Sequence, residues 1–299
     1  MVDVTDRVLA LVGPTATGKS ALAVALARRA PTPIEIVATD AFTVYRGMDV
    51  GTAKPAADVR DELDHHLIDV LEPEDEATVK WFQTEARRVV GAIHTRGKLP
   101  LLVGGSGLYF RAVVDDLRFP PTDAVVRARV HERFADDPAA AHAQLQATDP
   151  DAAAKIDPMN LRRSVRALEV IELTGERFSS FARGWDDYSS VYAGLDVRGV
   201  DVEDAVMRER IRQRAAGMVG SGLLDEARRL AGRELSRTAR QAIGYAEAFA
   251  VLAGELAEGE LAEAIATRTW RYARRQRSWF RRDPRIGWHR PDSVLDGWV

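Results

Sequence analysis

The chain has 299 residues, 46% of them hydrophobic and 29% charged, which is ordinary globular usage and excludes a disordered chain. It has no cysteine, so disulfides, thiolate metal sites and a cysteine nucleophile are excluded. The formal net charge of −3 is unevenly spread: nine arginines and one acid, Asp283, lie between Arg268 and Arg290, a local balance of +8 that leaves −11 on the remainder. One basic region on an acidic body is the pattern expected of a polyanion site.

The first residues, MVDVTDRVLALVG, carry two aspartates and lack the basic flank of a secretory signal. Every apolar stretch falls well short of the about 18 residues that suggest a membrane span, so a cytoplasmic protein with no membrane partner is expected. Residues 7–12 (RVLALV) predict a strand, and the alanine-rich residues 19–29 a helix after a glycine-rich loop. Further strands are predicted at 34–39 and 99–103, with a helix over 77–94 between them. From 120 to about 185 the strand pattern gives way to alanine, arginine and leucine at helical spacing, interrupted by Pro138, Pro150 and Pro158. VYAGLDV, 191–197, predicts a strand returning to the sheet, followed by helices at 204–220, 222–230, 239–252 and 261–282. Alternating strands and helices imply an α/β fold, a P-loop NTPase-like parallel sheet flanked by helices. Residues 1–119 and 191–299 would form the core, with an all-helical insertion at 120–190 and a helical C-terminal region. Ligands gather at the carboxyl ends of such strands, where Gly13, Asp40 and Gly104 fall.

Gly13-Pro14-Thr15-Ala16-Thr17-Gly18-Lys19-Ser20 satisfies G-x-x-x-x-G-K-[ST] completely. Such a loop curls its N–H groups around phosphate, Lys19 adds a charge, and the Ser20 hydroxyl can ligate Mg2+. Read alone, the loop suggests nucleotide binding, specifically ATP. Asp40 ends the second strand, where it can act as general base, as outer magnesium ligand, or as the cap of an Asx turn. Lys54 reaches a phosphate or is a solvated lysine before Pro55. Gly104-Gly105-Ser106-Gly107 suits a backbone that approaches a ligand closely, with the Ser106 hydroxyl as a donor to a leaving-group oxygen rather than a nucleophile. His65 and His66, neighbours pointing to opposite sides of a strand, fit structural hydrogen bonds better than one metal. Arg162, Arg163 and Arg166 on a predicted helix are either an exposed face paired with Glu169 or a binding surface. Among the C-terminal arginines lie Trp270, Tyr272, Trp279, Phe280 and Trp288; core packing is favoured for the aromatics and polyanion contact for the arginines.

GPTATGKS, DAFTVYRGMDVGTAKP, DHHLIDV, LLVGGSGLYF, RRSVRALEVIELTGERFSS, TARQAIGYAE and TWRYARRQRSWFRRDPR, in this order from Gly13 to Arg285, closely resemble the bacterial tRNA dimethylallyltransferases, or isopentenyl-diphosphate:tRNA transferases. The resemblance implies transfer of a dimethylallyl group from dimethylallyl diphosphate to the exocyclic amine of the adenosine at tRNA position 37, beside the anticodon. By the same resemblance Asp40 is the base, and Ser106 and Arg127 belong to the catalytic set. Gly13 to Ser20 then hold the diphosphate with Mg2+ at Ser20. The family's tRNA-contact segments fall on Asp40, Ala41, Phe42 and Thr43; on Arg162, Arg163, Ser164, Val165 and Arg166; and on Gln241, Ala242, Ile243, Gly244, Tyr245 and Ala246. The partner implied is the anticodon stem-loop, and the expected state is a monomer. Ala41 and Thr43 replace the family's usual serine and glutamine, and Ser106 its usual threonine. The alternatives are a kinase built on the same loop and a nucleic-acid-binding module without transferase chemistry.

Overall fold

The computed structural model describes residues 6–182 and 184–298. It divides into two compact units, one running up to Val114 and resuming at Ser190, the other Asp115–Ser189.

The first unit is built on a six-stranded sheet: β1 Arg7–Val12, β2 Ile34–Ala38, β3 His65–His66, β4 Leu99–Gly104, β5 Gly194–Val200 and β6 Gly287–His289. The spatial order is β3-β2-β4-β1-β5-β6 and every pairing is parallel. A central parallel strand is covered on both faces, which is why β1 reads as an unbroken apolar run. Its residues alternate between two cores. Val8, Ala10 and Val12 join the larger one, and Leu9 and Leu11 the smaller. On the smaller side lie α1 (Lys19–Arg29) and the C-terminal residues Val294, Leu295 and Trp298. The other helices before the second unit are α2 (Ala57–Glu62), α3 (Val79–Thr95), opened by Thr78 capping the Trp81 N–H, and α4 (Gly107–Val114).

The second unit is helical: α5 (Ala124–Arg133), α6 (Pro138–Thr148), α7 (Pro150–Ala153) and α8 (Leu161–Thr174). Pro138 and Pro150 open helices rather than interrupt them. Each stands at the first helical position behind a capping aspartate, Asp137 or Asp149, where a missing N–H costs nothing. The chain then returns through β5 to α9 (Asp204–Gly220), α10 (Leu223–Ala231), α11 (Arg237–Arg240), α12 (Tyr245–Leu252) and α13 (Leu261–Phe280).

Three sequence expectations are corrected. The returning strand lies three residues later than 191–197, in register with β1 from Arg7 opposite Gly194 to Val12 opposite Gly199. Its charged residues are not exposed. Trp298 Nε1 donates to Asp196, and Arg198 donates to the carbonyls of Val294 and Asp296. The helix predicted over 239–252 is broken at Gly244, whose φ of 97° is open to glycine and whose N–H is taken by Glu247 at 2.8 Å. The short edge strands β3 and β6 carry too few residues to show a periodic pattern and add to the predicted sheet. In β3 both histidines make structural bonds, His66 Nε2 to Glu35 at 2.6 Å and His65 Nδ1 to the Leu63 carbonyl at 2.7 Å. Three cationic or imidazole partners, Arg96, Lys98 and His66, outweigh the burial that opposes ionisation of Glu35 and hold its carboxyl down to about 2. Among the described residues, no helix is long and apolar enough to cross a membrane.

Candidate active site

A cavity of about 680 Å³ opens within the first unit at the carboxyl ends of β1, β2 and β4. The P-loop from Thr15 to Ser20 forms one wall, and Asp40, at the exit of β2, faces into the same space. The loop conformation suits an anion. Ala16 (φ 64°) and Gly18 (φ 95°) are left-handed on either side of Thr17, the alternation from which backbone nests are made. At the head of α1 no side chain caps the free N–H groups and no acid stands in the first turn. The positive end of that helix is therefore left for a ligand.

Lys19 is 8% exposed, its Nζ 2.5 Å from the Pro14 carbonyl and 3.5 Å from Thr17 Oγ1. Burial pushes its ammonium down to about 7; the charge of Arg214 adds to this and Asp40 opposes it. Two arginines from α9 complete the wall, one turn apart on the same face. Arg214 donates to Thr15 Oγ1 at 3.3 Å, and Arg210 to the carbonyls of Ala16 and Thr17 at 3.4 and 3.3 Å. Neither was singled out from sequence. In MRERIRQR the alternating arginines read as a solvated face, and Arg208 and Arg212 share the same i, i+4 spacing, so only the tertiary packing of α9 tells the two pairs apart. From α13, Ile265, Thr269, Tyr272 and Gln276 line the cavity as one helical stripe. Burial raises the Tyr272 phenol above its ordinary range, with Asp40 adding to the rise. The cavity thus joins an anion cradle rich in cations to a carboxylate and an apolar wall.

The family model described as IPP transferase matches residues 43–283, and that described as isopentenyl transferase matches residues 6–68. The chain belongs to the IPP transferase family. The tRNA dimethylallyltransferase of Salinispora arenicola is 50% identical over 284 residues, 94% of this chain and 81% of that protein. That of Bifidobacterium longum is 46% identical over 289 residues, 95% of this chain and 86% of that one. The crystal structure of the full-length tRNA isopentenylpyrophosphate transferase of Bacillus halodurans matches with a TM-score of 0.69 at 38% identity, covering 96% of this chain and 90% of that one. A eukaryotic dimethylallyltransferase acting on tRNA shares the fold with a TM-score of 0.80 at 24% identity, over 95% of this chain and 74% of that one.

Against this family's motifs the structure sorts the residues singled out from sequence. Asp40 stands with the P-loop and also makes the Asx turn, accepting from the Phe42 N–H at 2.8 Å. Phe42 and Thr43 line the cavity, and Ala41 packs beside the larger core. Gly104 and Gly105 line it as well. Ser106 follows them at the head of α4, its hydroxyl 3.5 Å from the Tyr109 N–H. Lys54 is corrected. Its side chain is 2% exposed, with Nζ bound to Asp69, Asp49 and the Tyr45 carbonyl at 2.5, 2.7 and 2.5 Å, so it neither reaches the cavity nor lies in solvent.

The residues of the Gln241–Ala246 segment differ in burial. Gln241 is exposed and Ile243 lines the cavity, Gly244 supplies the break described above and Ala246 is half-buried, but Ala242 and Tyr245 are buried. Tyr245 donates to Glu226 at 2.5 Å and accepts from the Gly51 N–H at 3.2 Å, while Glu226 accepts from the N–H groups of Asp49 and Val50. This holds in place the loop whose residues Gly51, Thr52 and Ala53 line the cavity.

In the helical unit Arg162 and Arg163 are exposed, and their guanidinium groups meet no partner among the described residues. Ser164 and Val165 are buried in that unit. Arg166 and Arg127 converge on Glu169, which is 0% exposed, at 2.9 and 2.8 Å; these contacts hold α5 against α8. Of the nine C-terminal arginines, five are paired with acids. Arg277 binds Asp201 at 2.8 Å and Asp204, which removes it from the set available to a polyanion. Arg268, Arg281, Arg285 and Arg290 pair with Glu247, Asp201, Asp283 and Glu203. Arg271, Arg274 and Arg282 are exposed and meet no acid among the described residues, and Arg275 lies 5.9 Å over the Tyr272 ring. The aromatics divide as core packing requires: Phe280 is fully buried, and Trp270 and Trp288 pack against the larger core.

Proposed function

We propose that this protein transfers the dimethylallyl group of dimethylallyl diphosphate to the exocyclic N6 amine of the adenosine at position 37 of tRNA, beside the anticodon, releasing diphosphate. The observation that carries the reading is the meeting, in one cavity at the carboxyl edge of the sheet, of a phosphate cradle with two arginines and the carboxylate of Asp40. Family membership and the names of the relatives agree with it.

The amine is a poor nucleophile because its lone pair is shared with the purine ring, so the reaction needs both a base and a stabilised leaving group. The C1–O bond of the prenyl diphosphate breaks with its electron pair going to the diphosphate, the C1–N6 bond forms, and Asp40 accepts the N6 proton. The P-loop N–H groups, Lys19, Arg210 and Arg214 hold the diphosphate as its charge grows, and the Ser106 hydroxyl adds a donor from the neighbouring turn. Ser20 and Asp40 line one space and offer hard oxygen donors, the set that magnesium takes together with substrate phosphates. When bound, Mg2+ neutralises charge on the departing diphosphate. The adenine must leave the anticodon-loop stack to reach Asp40, which costs less from a loop than from a duplex. The exposed arginines Arg162, Arg163, Arg271, Arg274 and Arg282 serve the RNA backbone.

The test incubates the protein with magnesium, unmodified tRNA and either labelled dimethylallyl diphosphate or γ-labelled ATP. Isoprenoid label at the adenosine beside the anticodon is expected. Phosphate transfer without prenylation, or tRNA binding without either, would refute the reading.

A further inference from the structure

Gln276 is buried, 5% exposed, yet its side chain spans two loops that meet at the cavity. Oε1 accepts from the Thr15 N–H at 2.9 Å, and Nε2 donates to the Gly105 carbonyl at 2.7 Å. The fit leaves no slack on the glycine side, where an added Cβ at Gly105 would lie 2.3 Å from Nε2. A side-chain amide is the neutral group that presents an acceptor and a donor side by side, so it can bridge an N–H and a C=O without adding charge. That neutrality matters here, because Lys19, Arg210, Arg214 and Asp40 already share the cavity.

The bridged atoms lie next to groups the reaction uses. Thr15 opens the stretch that curls through Ala16 and Gly18, and tying its N–H to Gln276 leaves the later N–H groups for phosphate. Gly105 precedes Ser106. Gln276 itself is anchored on α13, whose 20 residues also carry Tyr272 into the cavity one turn earlier. A rigid helix therefore sets the gap between the two loops.

We propose that Gln276 is a positioning residue for prenyl transfer, holding the P-loop and the Gly105–Ser106 turn at the spacing the diphosphate requires as the C1–O bond breaks. This rests on the function proposed above. Losing the bridge lets two donor sets drift apart by a fraction of an ångström to an ångström, a displacement that lowers rates by about 10²-fold when it falls between donors and developing charge.

The test uses the full-length protein with Gln276→Leu, which removes both bonds, and Gln276→Glu, which keeps the acceptor and loses the donor. For each, kcat is expected to fall by about 10²-fold with KM for dimethylallyl diphosphate and tRNA within about 3-fold of wild type. Because Gln276 acts through the turn that carries Ser106, Gln276→Leu combined with Ser106→Ala should be within about 3-fold of the slower single variant. A folded variant with near-normal kcat, a loss confined to KM, or full additivity with Ser106→Ala would each overturn the proposal. So would failure of both Gln276 variants to fold, which would make the residue a structural strut only. A wild-type protein that transfers no prenyl group refutes instead the function on which the proposal rests, and the two failures are told apart by that control.

Discussion

Diphosphate binding should draw a proton into the site. In the empty cavity Lys19 is pushed from 10.5 to about 7, first by burial and then by Arg214, with Asp40 opposing. That depression corresponds to a cost on the order of 5 kcal/mol for the charged form, at about 1.4 kcal/mol per pH unit. A bound diphosphate supplies negative charge where Arg214 supplied positive, and returns the ammonium to its ordinary range. At pH 8.5 the empty site then holds about 0.03 proton on Lys19 and the occupied site nearly one, so uptake approaches one proton per diphosphate bound. Affinity should fall by up to about tenfold per pH unit between about pH 8 and 10. Calorimetric titration of dimethylallyl diphosphate in EDTA, in two buffers of different ionisation enthalpy, reads the proton count directly. The same titration with Lys19→Arg should show none. Uptake below about 0.3 proton at pH 8.5, or a dissociation constant flat across pH 7.5 to 9.5, would refute the reasoning. The same depression acts on folding with the opposite sense: the unfolded chain keeps this proton up to 10.5, so the ligand-free protein gains stability as pH rises from about 7 towards 10.5.

Asp40→Asn should keep the Asx turn, the fold and tRNA binding while lowering single-turnover prenyl transfer by about 10²-fold or more. Near-normal turnover would remove Asp40 as the base. Arg271→Ala with Arg274→Ala should reduce the salt dependence of tRNA binding by about 0.7 in log-log slope for each phosphate no longer neutralised. Arg277→Ala should leave that slope unchanged and instead lower the melting temperature, because it breaks the bonds to Asp201 and Asp204. Tyr245→Phe takes one donor from buried Glu226 and should cost about 1–3 kcal/mol in chemical denaturation with no change in the salt slope of tRNA binding. A changed slope would return Tyr245 to the RNA surface.

Much of the sheet was legible because the physics of a buried parallel strand is local. RVLALV has no polar residue between Val8 and Val12 to contradict a two-sided burial, and its prediction matches β1 residue for residue. The end of β5 was missed because Arg198 looks solvent-facing until the backbone from Val294 to Asp296 is brought against it. Those partners lie about a hundred positions away. Lys54 was missed at much shorter range: its three partners, Tyr45, Asp49 and Asp69, are individually ordinary and become a cage only when the chain between them folds back. The shape of the loop after β1 was legible for the opposite reason, since it is set by the loop's own backbone. The arginines that complete it come from α9 and could not be told from their neighbours without knowing which face α9 buries.

The motifs that carried the family resemblance are separated in the chain but are halves of the same contacts. The glycines of VGGSG leave room for the C-terminal helix: a Cβ at Gly105 would strike Gln276, and one at Gly107 would lie 2.1 Å from the Trp279 ring. Gly51 of DVGTAKP leaves room for Tyr245 of IGYAE in the same way, with 2.4 Å to its ring. A small residue on one segment and a large or polar one on another have no meaning for composition or periodicity, yet each pair fixes one wall of the cavity. The C-terminal stretch 271–282 (RYARRQRSWFRR) therefore has two sides. Its inward residues Tyr272 and Gln276 line the cavity and Trp279 packs on Gly107, while its outward arginines, Arg271, Arg274 and Arg282, face solvent. One helix can therefore couple the seating of an RNA backbone on its outer side to the geometry of the leaving group on its inner side, and substitutions on the two sides should separate cleanly into effects on binding and effects on the chemical step.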